Sequence, residues 1–339
     1  MRVMLLHEDT REPGQGGGGE SLLRDQTEAL KRRGHQVAWL HDAQIARAVD
    51  AFKPDIVHVS TIHNFVGFEP ARWLQEQRIP HVWAINDYWP FCVGRMLLTD
   101  WIKGNSCAAV DGICNGKCSK GASPAEWLQL VNGSPVVAYN EHTAAIYRRN
   151  GLRCDYVVEL GVDVDRFKPD PTQRTPEPSV WASSAWPEYP VKGLPVLQGA
   201  IAGTGWQVNY MAHTTRDNIA LGLKRAHVYV FPSIYQETWG LSLNEAMASG
   251  CACVASDVAG ARAQLHDGLG LLVPPRDPQA LRQALEWLLA HPREREQMGA
   301  RARAHVLADH TLEAMGQRWL AVYQDLLTNR VTVSTQVSG

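Results

Sequence analysis

The sequence predicts an α/β protein of two doubly wound domains facing each other across a cleft. Short apolar runs alternate with amphipathic stretches through both halves of the chain, the pattern of parallel sheets covered by helices on both faces. A Pro- and charge-rich segment at 161–178, GVDVDRFKPDPTQRTPEP, separates the two series and reads as a connection between domains. The 339 residues are enough for two cores.

The elements follow in order. RVMLL (2–6) reads as a buried strand, followed by a Gly-rich loop, GQGGGGE (14–20). SLLRDQTEALKRRG places Leu22, Leu23, Thr27 and Leu30 near helical spacing and stops at Gly34. QVAWL (36–40), DIVHVS (55–60) and HVWAI (81–85) are the next strands, with helices at 43–52 and 71–77. The alternation breaks at 86–123, a long irregular insertion. It resumes with a helix at 124–131, a strand at 135–139, a helix at 141–150 and a strand at 154–160. In the second half, strands are expected at 179–185, 206–212, 228–231, 251–255 and 269–274. Helices are expected at 193–202, 215–225, 240–249, 277–290, 292–306 and 311–327, with a turn-rich segment before 269. The polar tail 329–339 reads as frayed. The implied domains are 1–165, carrying the insertion, and 166–308, followed by a C-terminal helix at 309–328.

Charged residues make up 20% of the chain and the net charge is −2, which gives no general case for nucleic-acid binding. No apolar run approaches the roughly 18–20 residues that cross a bilayer. The start, MRVMLLHEDTRE, turns acidic too early for a signal peptide. These features place the chain in the cytoplasm, with peripheral membrane contact left open.

The chemistry concentrates in residues 231–250, FPSIYQETWGLSLNEAMASG. A strand runs into a loop, a Gly and a helix start, the way α/β proteins build anion sites at strand ends. Glu237 and Glu245 flank Gly240. Eight helical residues would span about 12 Å, too far for carboxylates sharing a proton but suited to gripping two ends of an extended ligand. The amides of Gly240, Leu241 and Ser242 would open the helix toward an anion. The plain alternative makes Glu237 a cap and Glu245 a solvated helix residue.

The run 226–275, AHVYVFPSIYQETWGLSLNEAMASGCACVASDVAGARAQLHDGLGLLVPP, resembles the retaining glycosyltransferases of family 4, which have the GT-B fold of two Rossmann-like domains. It matches that family's E-x7-E signature, its Gly-Leu helix start, its Glu-Ala-Met-Ala-Ser-Gly helix and its Asp-Gly…Gly-Leu-Leu-Val-Pro segment. GGGGE, DIVHVS, GVDVDRFKP and Lys192-Gly193 fit upstream in order. The resemblance implies that Glu237 holds donor-sugar hydroxyls, Glu245 the nucleotide ribose, and Lys192 the donor diphosphate, aided by the amides at 240–242. A nucleoside-diphosphate sugar would be the donor, bound mainly by the second domain and used without a metal ion or a protein nucleophile. The acceptor, bound mainly by the first domain, could be a saccharide, a lipid-linked saccharide, a small molecule or a nucleic acid. The last helix would cross back to the first domain. Other readings are an epimerase or phosphorylase on the same fold, or a non-catalytic nucleotide-sugar-binding protein.

The chain departs from the family in several places, among them a segment between Lys192 and residue 231 that is shorter than usual. Where a Gly-Arg usually precedes the lysine, it has Ser183-Ser184-Ala185, so the second phosphate-binding cation is either missing or replaced by hydroxyls or by an arginine from elsewhere. Where members with a Cys-rich loop read His-Asp-Tyr-Trp, it has Asn86-Asp87-Tyr88-Trp89. Asp87 is kept and Asn86 cannot shuttle a proton; both are expected at the cleft. Gly17, Gly18 and Gly19 are candidates for close backbone approach to the ligand. His58 and His63 are further cleft candidates, and 209–213 a candidate base pocket. Cys92, Cys107, Cys114 and Cys118 lie in the insertion. They suggest a structural zinc site, or an iron–sulfur cluster with the same ligands, against unpaired thiols.

Overall fold

The computed structural model describes residues 1–7, 18–40, 44–60, 67–98, 110, 123–183, 190–212 and 214–336. β1 (Arg2–Leu6), β2 (Gln36–Leu40), β3 (Ile56–Val59), β4 (His81–Ala84), β5 (Val136–Ala138) and β6 (Tyr156–Val157) form a parallel sheet in the order β2-β1-β3-β4-β5-β6. β7 (Val180–Ser183), β8 (Val208–Met211), β9 (Val228–Phe231), β10 (Ala252–Ser256) and β11 (Leu271–Val273) form a second, in the order β11-β10-β9-β7-β8, again parallel. Central strands such as β3, β4 and β9 are buried at every residue. Their near-continuous apolar runs follow from having helices on both faces.

The helices are α1 (Gly18–Arg32), α2 (Ile45–Phe52), α3 (Glu69–Glu76), α4 (Ala125–Asn132), α5 (Glu141–Arg149), α6 (Leu194–Ile201), α7 (Arg216–Arg225), α8 (Leu241–Ala248), α9 (Ala259–Gln264), α10 (Pro278–Ala290), α11 (Pro292–Asp309) and α12 (Leu312–Gln336). Several start at side-chain caps. Asn140 accepts from the Thr143 amide, Thr215 from the Asn218 amide, and Asp277 from the amides of Gln279 and Ala280.

Four local readings are corrected. The Gly-rich loop gives way to helix at Gly18. β6 has two residues where a longer strand was expected. The turn-rich segment contains α9, whose AGARAQ text has no apolar period to announce it. The tail expected to fray continues α12 to Gln336, because no Gly or Pro interrupts 317–336.

Both sheets have a switch point, where the chain goes to one side of a strand and then to the other. In the first sheet it lies between β1 and β3, in the second between β7 and β9. Crevices beyond such points are where ligands bind in open α/β sheets. α12 covers the first sheet together with α1: Leu312, Met315, Trp319 and Tyr323 share a core with Leu22, Leu23, Ala29 and Leu30. The two chain crossings between the sheets run side by side. Val162 bridges Thr311, and a Cβ on Gly161 would lie 2.2 Å from the Thr311 carbonyl oxygen.

Candidate active site

A cleft of about 1610 Å³ runs between the sheets, lined from both. Lys192 and Glu237 meet at its second-sheet wall, one after β7 and the other after β9. Lys192 Nζ lies 2.7 Å from Glu237 Oε1 and 3.1 Å from the Tyr235 hydroxyl. Ser233 donates to the same Glu237 oxygen at 3.0 Å, and Tyr235 donates to Oε2. Three donors therefore converge on one buried carboxylate. Burial, and then the negative charge of Glu237, push the Tyr235 phenol well above its ordinary range, so it stays a donor. The turn carrying Lys192 depends on Gly193. Its φ is +80°, and a Cβ there would lie 1.7 Å from the Pro232 carbonyl oxygen. Ser233 and Tyr235 have no signal in the sequence beyond lying in the 231–250 stretch.

Glu245 faces the cleft from the second turn of α8 and is only 5% exposed. It accepts from Arg216, which the sequence reading did not single out: Nη2 at 2.9 Å and Nε at 3.2 Å. Arg216 also binds Asp25 of α1, on the opposite wall. Burial raises both carboxyls above their ordinary values, with Arg216 opposing. Burial works against the Arg216 charge too, but Glu245 and Asp25 outweigh it and hold its pKa above the usual arginine value. Their separation along the chain, 29 and 191 residues, hides this trio from sequence motifs.

The start of α8 differs from expectation at one amide. Gly240 N–H donates to Gln264 Oε1 at 3.0 Å, and Gln264 Nε2 returns a bond to the Gly240 carbonyl. The Gly240 amide is thus committed within the protein. Leu241 and Ser242 line the cleft, and no side chain caps the helix. Gly18 and Gly19 also line it, as the first residues of α1. Gly17, Ser184 and His63 lie outside the described residues, as does the side chain of Ser183, whose backbone pairs with Met211. Met211 lines the cleft, whereas Tyr210 is 44% exposed on the edge strand β8.

On the first-sheet wall, Asn86 lines the cleft and its carbonyl accepts from the Thr238 hydroxyl at 2.8 Å. Asp87 is not part of the lining; its Oδ1 accepts from the Trp89 amide at 2.8 Å, shaping the turn after β4. His58 is not a cleft residue either. It is buried under α12, with Nδ1 2.7 Å from the Tyr323 hydroxyl and its ring 4.4 Å from that of Trp319. Cys92 is buried in the first-sheet core. Cys107, Cys114 and Cys118 lie outside the described residues. Among the described residues, no three His, Cys, Asp or Glu side chains gather as a metal group, and no helix is long and apolar enough to cross a membrane.

Residues 199–305 match the family model described as Glycosyl transferases group 1. The chain is 30% identical over 183 residues to D-rhamnosyltransferase WbpZ of Pseudomonas aeruginosa, covering 44% of this chain and 47% of the relative. It is 28% identical over 235 residues to a D-inositol 3-phosphate glycosyltransferase of Thermobifida fusca, covering 63% and 53%. It thus spans about half the length of these curated relatives. Sucrose-phosphate synthase from Thermosynechococcus elongatus superposes with a TM-score of 0.75 at 16% identity, over 97% of this chain and 99% of that one. Anabaena HepE in complex with UDP and glucose gives 0.68 at 15%, over 95% and 99%. The chain has the GT-B fold.

Proposed function

We propose that the protein is a retaining glycosyltransferase of the family 4 type, moving a sugar from a nucleoside-diphosphate sugar to an acceptor. The carrying observation is the Lys192–Glu237 pair, 2.7 Å apart at the switch point of the second sheet. Glu237 and the uncapped start of α8 lie inside the segment that matches the glycosyltransferase model, and Lys192 lies just before it. A cation and a helix N-terminus on one side, with a carboxylate already ringed by hydroxyl and ammonium donors, suit a diphosphate joined to a polyol. The cleft exceeds the roughly 300–1,000 Å³ of a typical small-ligand pocket, leaving room for donor and acceptor together.

In this reading Glu237 accepts from donor-sugar hydroxyls, and Lys192 exchanges part of its bond to Glu237 for the diphosphate. The amides of Leu241 and Ser242 and the dipole of α8 meet the charge that grows on the leaving nucleoside diphosphate. Each such donor is worth about 2.7–4 kcal/mol in a dry site, by the yardstick of oxyanion-hole deletions. The second phosphate partner is unassigned at the Ser183-Ser184 position. The acceptor enters from the first-sheet wall near Asn86 and attacks on the face the leaving group departs from, which requires no protein nucleophile. The UDP in the HepE complex makes UDP-sugars the first donors to try.

The test is a mass-spectrometric transfer assay pairing a panel of nucleoside-diphosphate sugars with saccharide and lipid-linked acceptors. Glu237→Ala, Glu245→Ala and Lys192→Ala are each expected to slow transfer about 100-fold or more. Wild-type rates in all three would refute the site.

A further inference from the structure

Arg216, the first residue of α7, sits between two carboxylates from opposite walls of the cleft. Its Nη1 and Nη2 bind Asp25 Oδ1 and Oδ2 at 2.7 and 3.1 Å. Its Nη2 and Nε also hold Glu245 Oε1 at 2.9 and 3.2 Å. The guanidinium packs 5.3 Å from the centre of the Phe167 ring. Asp25 and Glu245 are each 5% exposed, so neither is held loosely by bulk water. The planar fork grips Asp25 with two nitrogens while still reaching Glu245; a lysine ammonium, a point charge, cannot reproduce that bidentate geometry. All three residues line the cleft. Glu245 Oε2 has no hydrogen bond among the described residues. A carboxylate oxygen only accepts, so what it takes from the cleft is a donor such as a hydroxyl.

We propose that Arg216 and Asp25 are positioning residues that aim Glu245 at the ribose diol of the donor nucleotide. This rests on the nucleotide-sugar reading of the cleft. Arg216 fixes Oε1 and thereby turns Oε2 toward one hydroxyl. Asp25 fixes Arg216 from the far wall, so ribose recognition, although seated on α8, depends on a residue of α1. Neither residue need touch the nucleotide.

The experiment is isothermal titration of UDP, ADP and GDP, each alongside its 2′-deoxy counterpart, into wild-type protein, Asp25→Asn, Arg216→Ala and Arg216→Lys. Melting curves verify that each variant is folded, and Asp25→Asn keeps the side-chain shape. Wild-type protein should prefer the ribonucleotide about ten-fold, the loss expected for one hydrogen bond to a charged group. In all three variants the ribonucleotide Kd should rise about ten-fold while the 2′-deoxy Kd stays put, bringing the preference close to one. A general packing defect would move both affinities together. A wild-type preference retained in the folded variants overturns this inference alone. Wild-type protein that binds none of these nucleotides overturns the donor reading and this inference with it.

Discussion

At the residue scale the site rests on Gly193 as much as on the charged groups it positions. No L-residue sits comfortably at its φ of +80°, and a Cβ would collide with the Pro232 carbonyl. Gly193→Ala should therefore displace the Lys192 turn, lower stability by about 1–3 kcal/mol and cut transfer at least as far as Lys192→Ala does. Urea unfolding and the transfer assay measure the two effects; an alanine variant with wild-type activity would show that the turn does not fix the lysine. Some of this was legible beforehand. Lys192-Gly193 and the Glu237–Glu245 spacing stand out because each is a local text. Ser233 and Tyr235 are ordinary residues whose value comes from converging on Glu237. Arg216 and Asp25 were not legible, because their partners are distant in sequence and only the folded cleft joins them. Asp87 looked like a cleft residue by its place after a strand, yet its carboxylate is used on the Trp89 amide.

At the element scale the buried strands were readable because parallel strands covered on both faces are apolar throughout. Helix ends were less so: α9 carries no period, and α12 runs on through polar text that contains no breaker. The seam between α12 and the first sheet makes its own prediction. His58 of β3 is buried against Trp319 and Tyr323, and burial, then the nearby charge of His7, lower its pKa from 6.5 to about 3. Between those pH values the unfolded chain binds a proton that the folded one does not. Stability must then fall as pH drops below 6.5, and the contribution is fully kept above it. From pH 6.5 to 5.0 this single histidine should cost about 1.6 kcal/mol. His58→Phe should flatten the pH dependence of urea unfolding by that amount; an identical dependence in both proteins would contradict the burial argument.

At the scale of the molecule, the two walls of the cleft are tied at the loop that carries Glu237. Thr238, next to Glu237, donates to the Asn86 carbonyl at 2.8 Å, and its own carbonyl accepts from Asn140 Nδ2 at 2.6 Å. With the Arg216–Asp25 pair, these bonds hold Glu237 and Glu245 in register with the opposite wall, where the proposed acceptor would lie. In the proposed transfer, walls held together in this way would keep water from the donor. The proposed function requires that the cleft hold a nucleoside diphosphate between Lys192 and the start of α8. Calorimetric titration of nucleoside diphosphates and the matching monophosphates into wild-type and Lys192→Ala protein measures this directly. At least one diphosphate should bind about ten-fold or more tightly than its monophosphate, and Lys192→Ala should remove the difference. Equal affinity for the two in the wild-type protein, or a preference that survives Lys192→Ala, would contradict it.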